Sequence, residues 1–146
     1  MKLSLIHTNQ FPEWKQMRQA VYSSLDEKFH EKEMNHIFVR DDWFCYFLTD
    51  ESNKVLGLVE LSSRNIADEC LSSPVAYLEG LYLKKEHREK GMGKETVRLI
   101  LNWCKERGYT ELPTDSELSN LSAQKFFKAT GFHETYRVVE FRTKVK

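Results

Sequence analysis

The stretch "LEGLYLKKEHREKGMGKET" (78–96) decides the fold. An apolar, β-prone run ends at Leu83, a basic loop follows, and a helical pattern begins directly after two glycines. A loop of small residues that opens a helix presents unpaired N–H groups and the positive end of the helix dipole, which together form an anion site. Gly91 and Gly93 let an anion approach the backbone, and Arg88, Lys90 and Lys94 add charge. Two phosphate loops are excluded by spacing. A P-loop needs glycine and Ser/Thr where Arg88 and Glu95 stand, and a dinucleotide fingerprint needs a third glycine where Thr96 stands. What remains is Arg-x-x-Gly-x-Gly over Arg88, Gly91 and Gly93. The strand before it is broken by Gly80, which marks a bulge or a close backbone approach.

Outward from this stretch, the rest of the chain alternates strand and helix patterns. "MKLSLIH" (1–7) reads as a first strand. Trp14, Met17, Val21 and Leu25 recur at helical spacing in 12–25, with Pro12 in the first turn, and a second helix covers 27–38. "WFCYFLTD" (43–50) and "VLGLVELSS" (55–63) make a hairpin around "ESNK". A polar loop (64–73) precedes the strand 74–83, and the helix after the glycines runs from about 93 to 107. "YTEL" (109–112) reads as a short strand, Ser119 caps a helix ending at Gly131, and 133–144 alternates as a final strand. The expected order is β-α-α-β-β-β-α-β-α-β, an α/β sheet of mixed direction in one domain spanning 1–146.

The 146 residues are 40% hydrophobic and 30% charged, enough to bury a core. No apolar run is long enough to span a membrane, and no leader-like segment is evident. Cys45, Cys70 and Cys104 are widely spaced and fit neither a zinc pattern nor a disulfide framework, so we expect no metal and a reducing cytoplasm. The formal net charge is zero but segregated. Residues 84–94 carry five Lys/Arg against two Glu, 60–79 four acids against Arg64, and 111–117 three acids and no base. One basic loop beside two acidic ones suits an anionic cofactor and a cationic substrate, and it is not the basic face of a nucleic-acid binder.

The Arg-x-x-Gly-x-Gly loop after this strand resembles the pyrophosphate loop of the GNAT acetyltransferases. "NLSAQKFFKATGF" resembles that family's Asn-x-x-Ala helix with its Gly-Phe end, at Asn120, Ala123, Gly131 and Phe132. Within the family, "SSPVAYLEGLYL", "TDSELSN" and "GFHETYRVV" are most similar to the aminoglycoside 6'-N-acetyltransferases. The likeness covers roughly residues 70–140 well, and the N-terminal half only in layout. The resemblance implies a mixed, mostly antiparallel central sheet flanked by helices, with parallel strands splayed at the cofactor site. It also implies direct acetyl transfer from acetyl-CoA to an amine, and a homodimer built around "TYRVVEFRTK", whose alternating edge wants a partner.

Residue by residue, the resemblance places the pyrophosphate on the backbone of Arg88, Glu89, Lys90, Gly91, Met92, Gly93 and Lys94. The pantetheine arm falls on the strand edge of Leu81, Tyr82 and Leu83, and Asn120 lies near that arm. Glu79 and Asp115 are the candidate proton acceptors and substrate contacts. Glu79 stands in an apolar strand, where an acid is costly unless paired or used, and Asp115 follows the 109–112 strand. Glu60 sits in a similar strand and is read as solvent-facing. Tyr22 and Tyr136 complete the expected substrate contacts. Four positions depart from the pattern. Phe127 replaces the tyrosine that many members use as general acid, and Tyr136 replaces an acid, a loss that Glu140 could make good. Tyr22 replaces a tryptophan, and "RNIADECLSS" replaces a tyrosine-bearing loop. These departures lie in the substrate half, so an enzyme for another polyamine-like or small amine, and a non-catalytic acetyl-CoA sensor, stay open beside the aminoglycoside reading.

Overall fold

The structure is a computed structural model that describes all 146 residues. The chain divides into two units, Met1–Asp115 and Ser116–Lys146.

The first unit is built on four antiparallel strands in sequence order: β1 (Lys2–Leu5), β2 (Trp43–Thr49), β3 (Val55–Arg64) and β4 (Val75–Leu83). The β2–β3 turn is made by Asp50, whose Oδ1 accepts from the amides of Ser52 (2.8 Å) and Lys54 (2.9 Å). Asn53 there takes a left-handed φ of 64°, which asparagine tolerates. Strand alternation puts Trp43, Cys45, Phe47, Leu58, Glu60 and Tyr82 on one face. That face is covered by α1 (Phe11–Val21) and α2 (Glu27–Phe38), whose Trp14, Met17, Met34 and Ile37 join Phe47, Leu58 and Ile6 in one cluster. Asp26 caps α2, its Oδ1 accepting from the Phe29 amide at 2.8 Å. On the opposite face lies α3 (Met92–Glu106), which buries Val97, Ile100, Trp103 and Cys104 along one stripe. Trp103 Nε1 donates to the Tyr46 hydroxyl at 2.9 Å, and the Tyr109 ring stacks on Trp103 at 5.8 Å.

Glu60 departs from its expected place. It is fully buried, not solvent-facing, because α1 lies directly over it. Arg18 Nη1 reaches both of its oxygens at 2.6 Å, and Trp14 Nε1 donates to Oε2 at 2.8 Å. Arg18 is also fully buried, and its Nη2 pairs with Glu33 of α2. Burial alone would depress the Arg18 pKa, but the Glu60 charge and hydrogen bond outweigh it, so the guanidinium is held above its ordinary value.

Four other expectations change. Residues 109–112 form no strand. The contact is one parallel bridge, Leu78 to Thr114, with the Leu78 amide donating to Pro113 O at 3.0 Å and Thr114 Oγ1 donating to Leu78 O at 2.9 Å. Pro113 brings no amide of its own, so the ladder does not extend. The first helix stops at Val21, before Leu25, with Tyr22 as its C-cap. In the second unit, α4 (Leu121–Ala129) is capped by Asn120 rather than Ser119, Asn120 Oδ1 accepting from the Ala123 amide at 3.1 Å. Phe127 packs edge-on between Phe126 and Phe132, at 5.4 and 5.2 Å. Residues 133–146 form no strand, although their alternation is intact, because a strand exists only when a neighbour pairs with it.

Replacing Glu60 by Ala strands the Arg18 charge in the core. The expected loss is about 3–5 kcal/mol of unfolding free energy, read from urea denaturation. A loss below about 1 kcal/mol, the scale of an exposed ion pair, would show the pair to be dispensable.

Candidate functional site

The site begins where the cover of α1 ends. Beyond Glu60 on the same face of β3 come Ser62 and Arg64, opposite Tyr77 and Val75 of β4. Glu79 shares this face. Its Oε1 accepts from Ser62 Oγ at 2.6 Å and from Arg64 at 3.0 Å (Nε) and 2.7 Å (Nη2). The Arg64 guanidinium lies 3.6 Å over the Tyr77 ring, and Tyr77 Oη donates to Asp115 Oδ2 at 2.5 Å. Burial, and then the Asp115 hydrogen bond, push the Tyr77 pKa up, so the phenol stays a donor. Glu79 and Asp115, expected together from sequence, are thus joined through Arg64 and Tyr77. The Glu79 side chain is 14% exposed and held by three bonds, whereas Asp115 faces solvent. Arg64, Tyr77 and Ser62 were missed in the sequence. The period-two spacing of Tyr77 and Glu79 on one strand was the available signal.

The strand edge beside this cluster is shaped by a bulge. Leu61 faces Leu78 and Glu60 faces Gly80, so Glu79 is the extra residue. Before it, the Leu78 amide points away from β3 to Pro113; after it, the Lys84 amide points to β3, donating to Leu56 O at 2.9 Å. Counting back by alternation, Leu81 and Leu83 present N–H and C=O to the open edge, while Tyr82 belongs to the ladder. The backbone groups of Leu81 and Leu83 thus lie on the open edge, whereas Tyr82 packs its ring against the α1–α2 core. Arg88 Nε donates to the open Leu83 carbonyl at 2.7 Å, which fixes the loop entrance to the strand end.

In the loop, Gly91 takes φ +75° as the N-cap of α3, and Glu89 is also left-handed at 60°. No side chain caps this helix. The first intrahelical amide bond is Glu95 N to Gly91 O at 3.2 Å, which leaves the amides of Met92, Gly93 and Lys94 for an outside acceptor. A Cβ built on Gly91 meets nothing within 4 Å, so the space above the loop is open to a ligand. These features fit a pyrophosphate.

The remaining expected residues fall elsewhere. Tyr22 is turned inward, its hydroxyl 2.9 Å from Glu79 O and 3.1 Å from Glu60 Oε1, not presented as a stacking platform. Asn120 spends its Oδ1 on the helix cap, leaving its side-chain NH2 group as the one able to hold a ligand. Tyr136 and Glu140 lie in the extended 133–146 segment. Glu111, counted among the acids for a cationic substrate, instead clamps the 65–74 loop, accepting from the amides of Leu71 (3.0 Å) and Ser72 (2.8 Å) and from Ser72 Oγ (2.5 Å). Burial raises the thiol pKa of Cys45 and of Cys70, and raises that of Cys104 to about 11, so none is a thiolate near neutrality. No group of His, Cys, Asp and Glu has the arrangement of a metal site.

A sequence profile of the acetyltransferase (GNAT) family matches residues 11–132. The chain belongs to the GNAT acetyltransferase family. A Serratia marcescens protein named aminoglycoside N(6')-acetyltransferase type 1 is 31% identical over 130 residues, 88% of this chain and 89% of that one. The crystal structure of an apo aminoglycoside antibiotic 6'-N-acetyltransferase from Acinetobacter haemolyticus superposes with a TM-score of 0.87 at 25% identity, over 100% of both chains. An aminoglycoside acetyltransferase solved with a bisubstrate analogue, CoA-S-monomethyl-acetylneamine, shares the fold at 23% identity, with a TM-score of 0.83 over 99% of this chain and 98% of that one. No helix is long and apolar enough to cross a membrane.

Two outcomes follow from this geometry. Gly91→Val forces a β-branched residue into φ +75°, so the acetyl-CoA Kd measured by calorimetry should rise by about tenfold or more. An unchanged Kd would remove the loop from the site. The Glu111 carboxyl is held below the ordinary glutamate range by its Ser72 hydrogen bonds. The clamp is therefore complete above the ordinary glutamate pKa and is lost as pH falls through the lower folded value. The Ser72 amide resonance should titrate at that low pH and lose the transition in Glu111→Gln.

Proposed function

We propose that this chain is an acetyl-CoA-dependent N-acetyltransferase that acetylates the 6'-amine of aminoglycoside antibiotics by direct transfer, and so confers resistance. The observation that carries this reading is the joining of two carboxylates, Glu79 and Asp115, through Arg64 and Tyr77 beside the open edge of β4. Family membership and the names of the relatives support it.

Acetyl-CoA supplies the activated acetyl group. The amides of Met92, Gly93 and Lys94, with the Arg88–Lys94 backbone and cations, hold its pyrophosphate. The edge groups of Leu81 and Leu83 pair with the pantetheine arm, and Asn120 contacts it. An N–H of this strand faces the thioester oxygen, where negative charge develops. An ammonium has no lone pair, so a base must take its proton first. Asp115, facing solvent, accepts that proton directly or through water. Glu79, fixed by Ser62 and Arg64, supplies charge and orientation. Tyr136 lines the amine side. Phe127 has no acidic hydrogen, so no general acid is provided there.

We take residues 1–146 as one acetyltransferase domain, since the family match runs through the Asp115–Ser116 boundary of the two units. We also infer a homodimer around "TYRVVEFRTK". Val138, Val139 and Phe141 are 76%, 75% and 88% exposed on a segment without a strand partner in its own chain. A cytoplasmic location fits the three free cysteines. The runner-up, acetylation of another small polyamine, rests on Tyr136, a departure from the pattern that the resemblance implies.

The test is thiol release from acetyl-CoA with kanamycin, tobramycin, spermidine or a peptide amine, against an Asp115→Asn control. Turnover of the aminoglycosides, reduced about 100-fold or more in the control, is the expected result. Turnover of spermidine alone would overturn the substrate, and acetyl-CoA binding without any turnover would favour a sensor.

A further inference from the structure

The Tyr22 hydroxyl sits between two acceptors, Glu79 O at 2.9 Å and Glu60 Oε1 at 3.1 Å. It has one proton to give. Glu60 is already served by Arg18 and Trp14, so the proton is available to the Glu79 carbonyl at the shorter distance. Burial, and then the Glu60 charge, raise the Tyr22 pKa, so the group remains a phenol and a donor. Gly80 makes the contact possible, because a Cβ there would lie 2.4 Å from Tyr22 Oη. Glu79 and Gly80 are the bulge itself.

The bulge decides which amides the strand offers. Without the extra residue, strict alternation from Leu78 would turn the Leu81 and Leu83 amides into the β3 ladder and expose Tyr82 instead. We infer that Tyr22 is a positioning residue for acetyl transfer. Its hydroxyl, backed by the buried Arg18–Glu60 pair, pins the bulge carbonyl of Glu79 and so sets the phase in which β4 presents the Leu81 and Leu83 amides. This rests on the acetyl-transfer reading above and assigns Tyr22 a different task from the substrate contact expected from sequence. The hydroxyl acts through the strand and touches neither reactant.

Tyr22→Phe removes one oxygen and keeps the ring. Its kcat, on whichever amine is turned over, should fall by about tenfold and the KM for acetyl-CoA should rise, with the KM for the amine within about twofold of wild type. Gly80→Ala should reproduce that pattern, and the double variant should lose no more than either single one, since both break the same contact. A loss confined to the amine KM would restore Tyr22 as a substrate contact and overturn the inference, as would an unchanged kcat. A second readout needs no turnover. In the free protein, the amide resonances of Gly80 to Leu83 should move in Tyr22→Phe while those of β1 stay in place. Unmoved Gly80–Leu83 resonances would overturn the inference even if every amine tested proved inert, which separates its failure from that of the functional reading.

Discussion

The Arg18–Glu60 pair is the constraint from which the rest of the first unit follows. Both side chains are fully buried, and a carboxylate in the middle of an apolar sheet is tolerable only if its charge and lone pairs are met. Meeting them requires α1 to cross β3 so that Arg18 and Trp14 both reach Glu60, and α2 to bring Glu33 to the other side of Arg18. Tyr22 stands one helical turn beyond Arg18, so the placement that satisfies Glu60 also delivers the Tyr22 hydroxyl to the β4 bulge. A hydrophobic isostere of the pair could pack as well, but it would not carry this orientation to the strand edge.

The candidate site is a continuation of the same row of side chains. Along β3, Glu60, Ser62 and Arg64 point to one face at period two, and Tyr77 and Glu79 face the same way on β4. Glu60 lies under α1, while Ser62 and Arg64 lie past the helix end at Tyr22. One row thus runs from a buried ion pair at one end to the candidate site at the other, and the early stop of α1 marks the boundary. Had the helix run on to Leu25, as its apolar spacing suggested, it would have continued past that boundary.

Local chemistry made much of this legible in the sequence. The loop from Arg88 to Lys94, the helix after it and the Gly80 interruption are set by backbone requirements that leave a mark in residue type: positive φ at Gly91, an uncapped helix start, and a Cβ-free bulge. Glu79 could be singled out because an acid in an apolar strand demands a reason. Glu60 met the same criterion and was misassigned, since strand periodicity says only that two residues share a face, and not which of them a helix will cover. Arg64 was missed for a related reason, and Tyr77 left only its period-two spacing with Glu79 as a mark. Their importance arises from a cross-strand stack and a bond to Asp115, some 40 residues away in sequence, which no local pattern records. The final alternating segment shows the limit from the other side, because alternation describes a strand's faces while pairing depends on a neighbour elsewhere.

The two acids of the site end up in unlike environments, and that difference separates their roles. Glu79 is nearly enclosed and bound by Ser62 and by both nitrogens of the Arg64 fork, so its charge is committed and its position fixed. Asp115 accepts one bond from Tyr77 and otherwise faces water, so lone pairs remain for an incoming proton. Arg64 neutralises one of the two carboxylates and stacks on Tyr77, which leaves one net negative charge beside an aromatic ring. On the proposed reading, a cationic amine is attracted by that balance, and the more exposed Asp115 is the acid that takes its proton. The division follows from surroundings: the nearly enclosed carboxylate paired with Arg64 is held as framework, while the exposed one keeps an oxygen open to water.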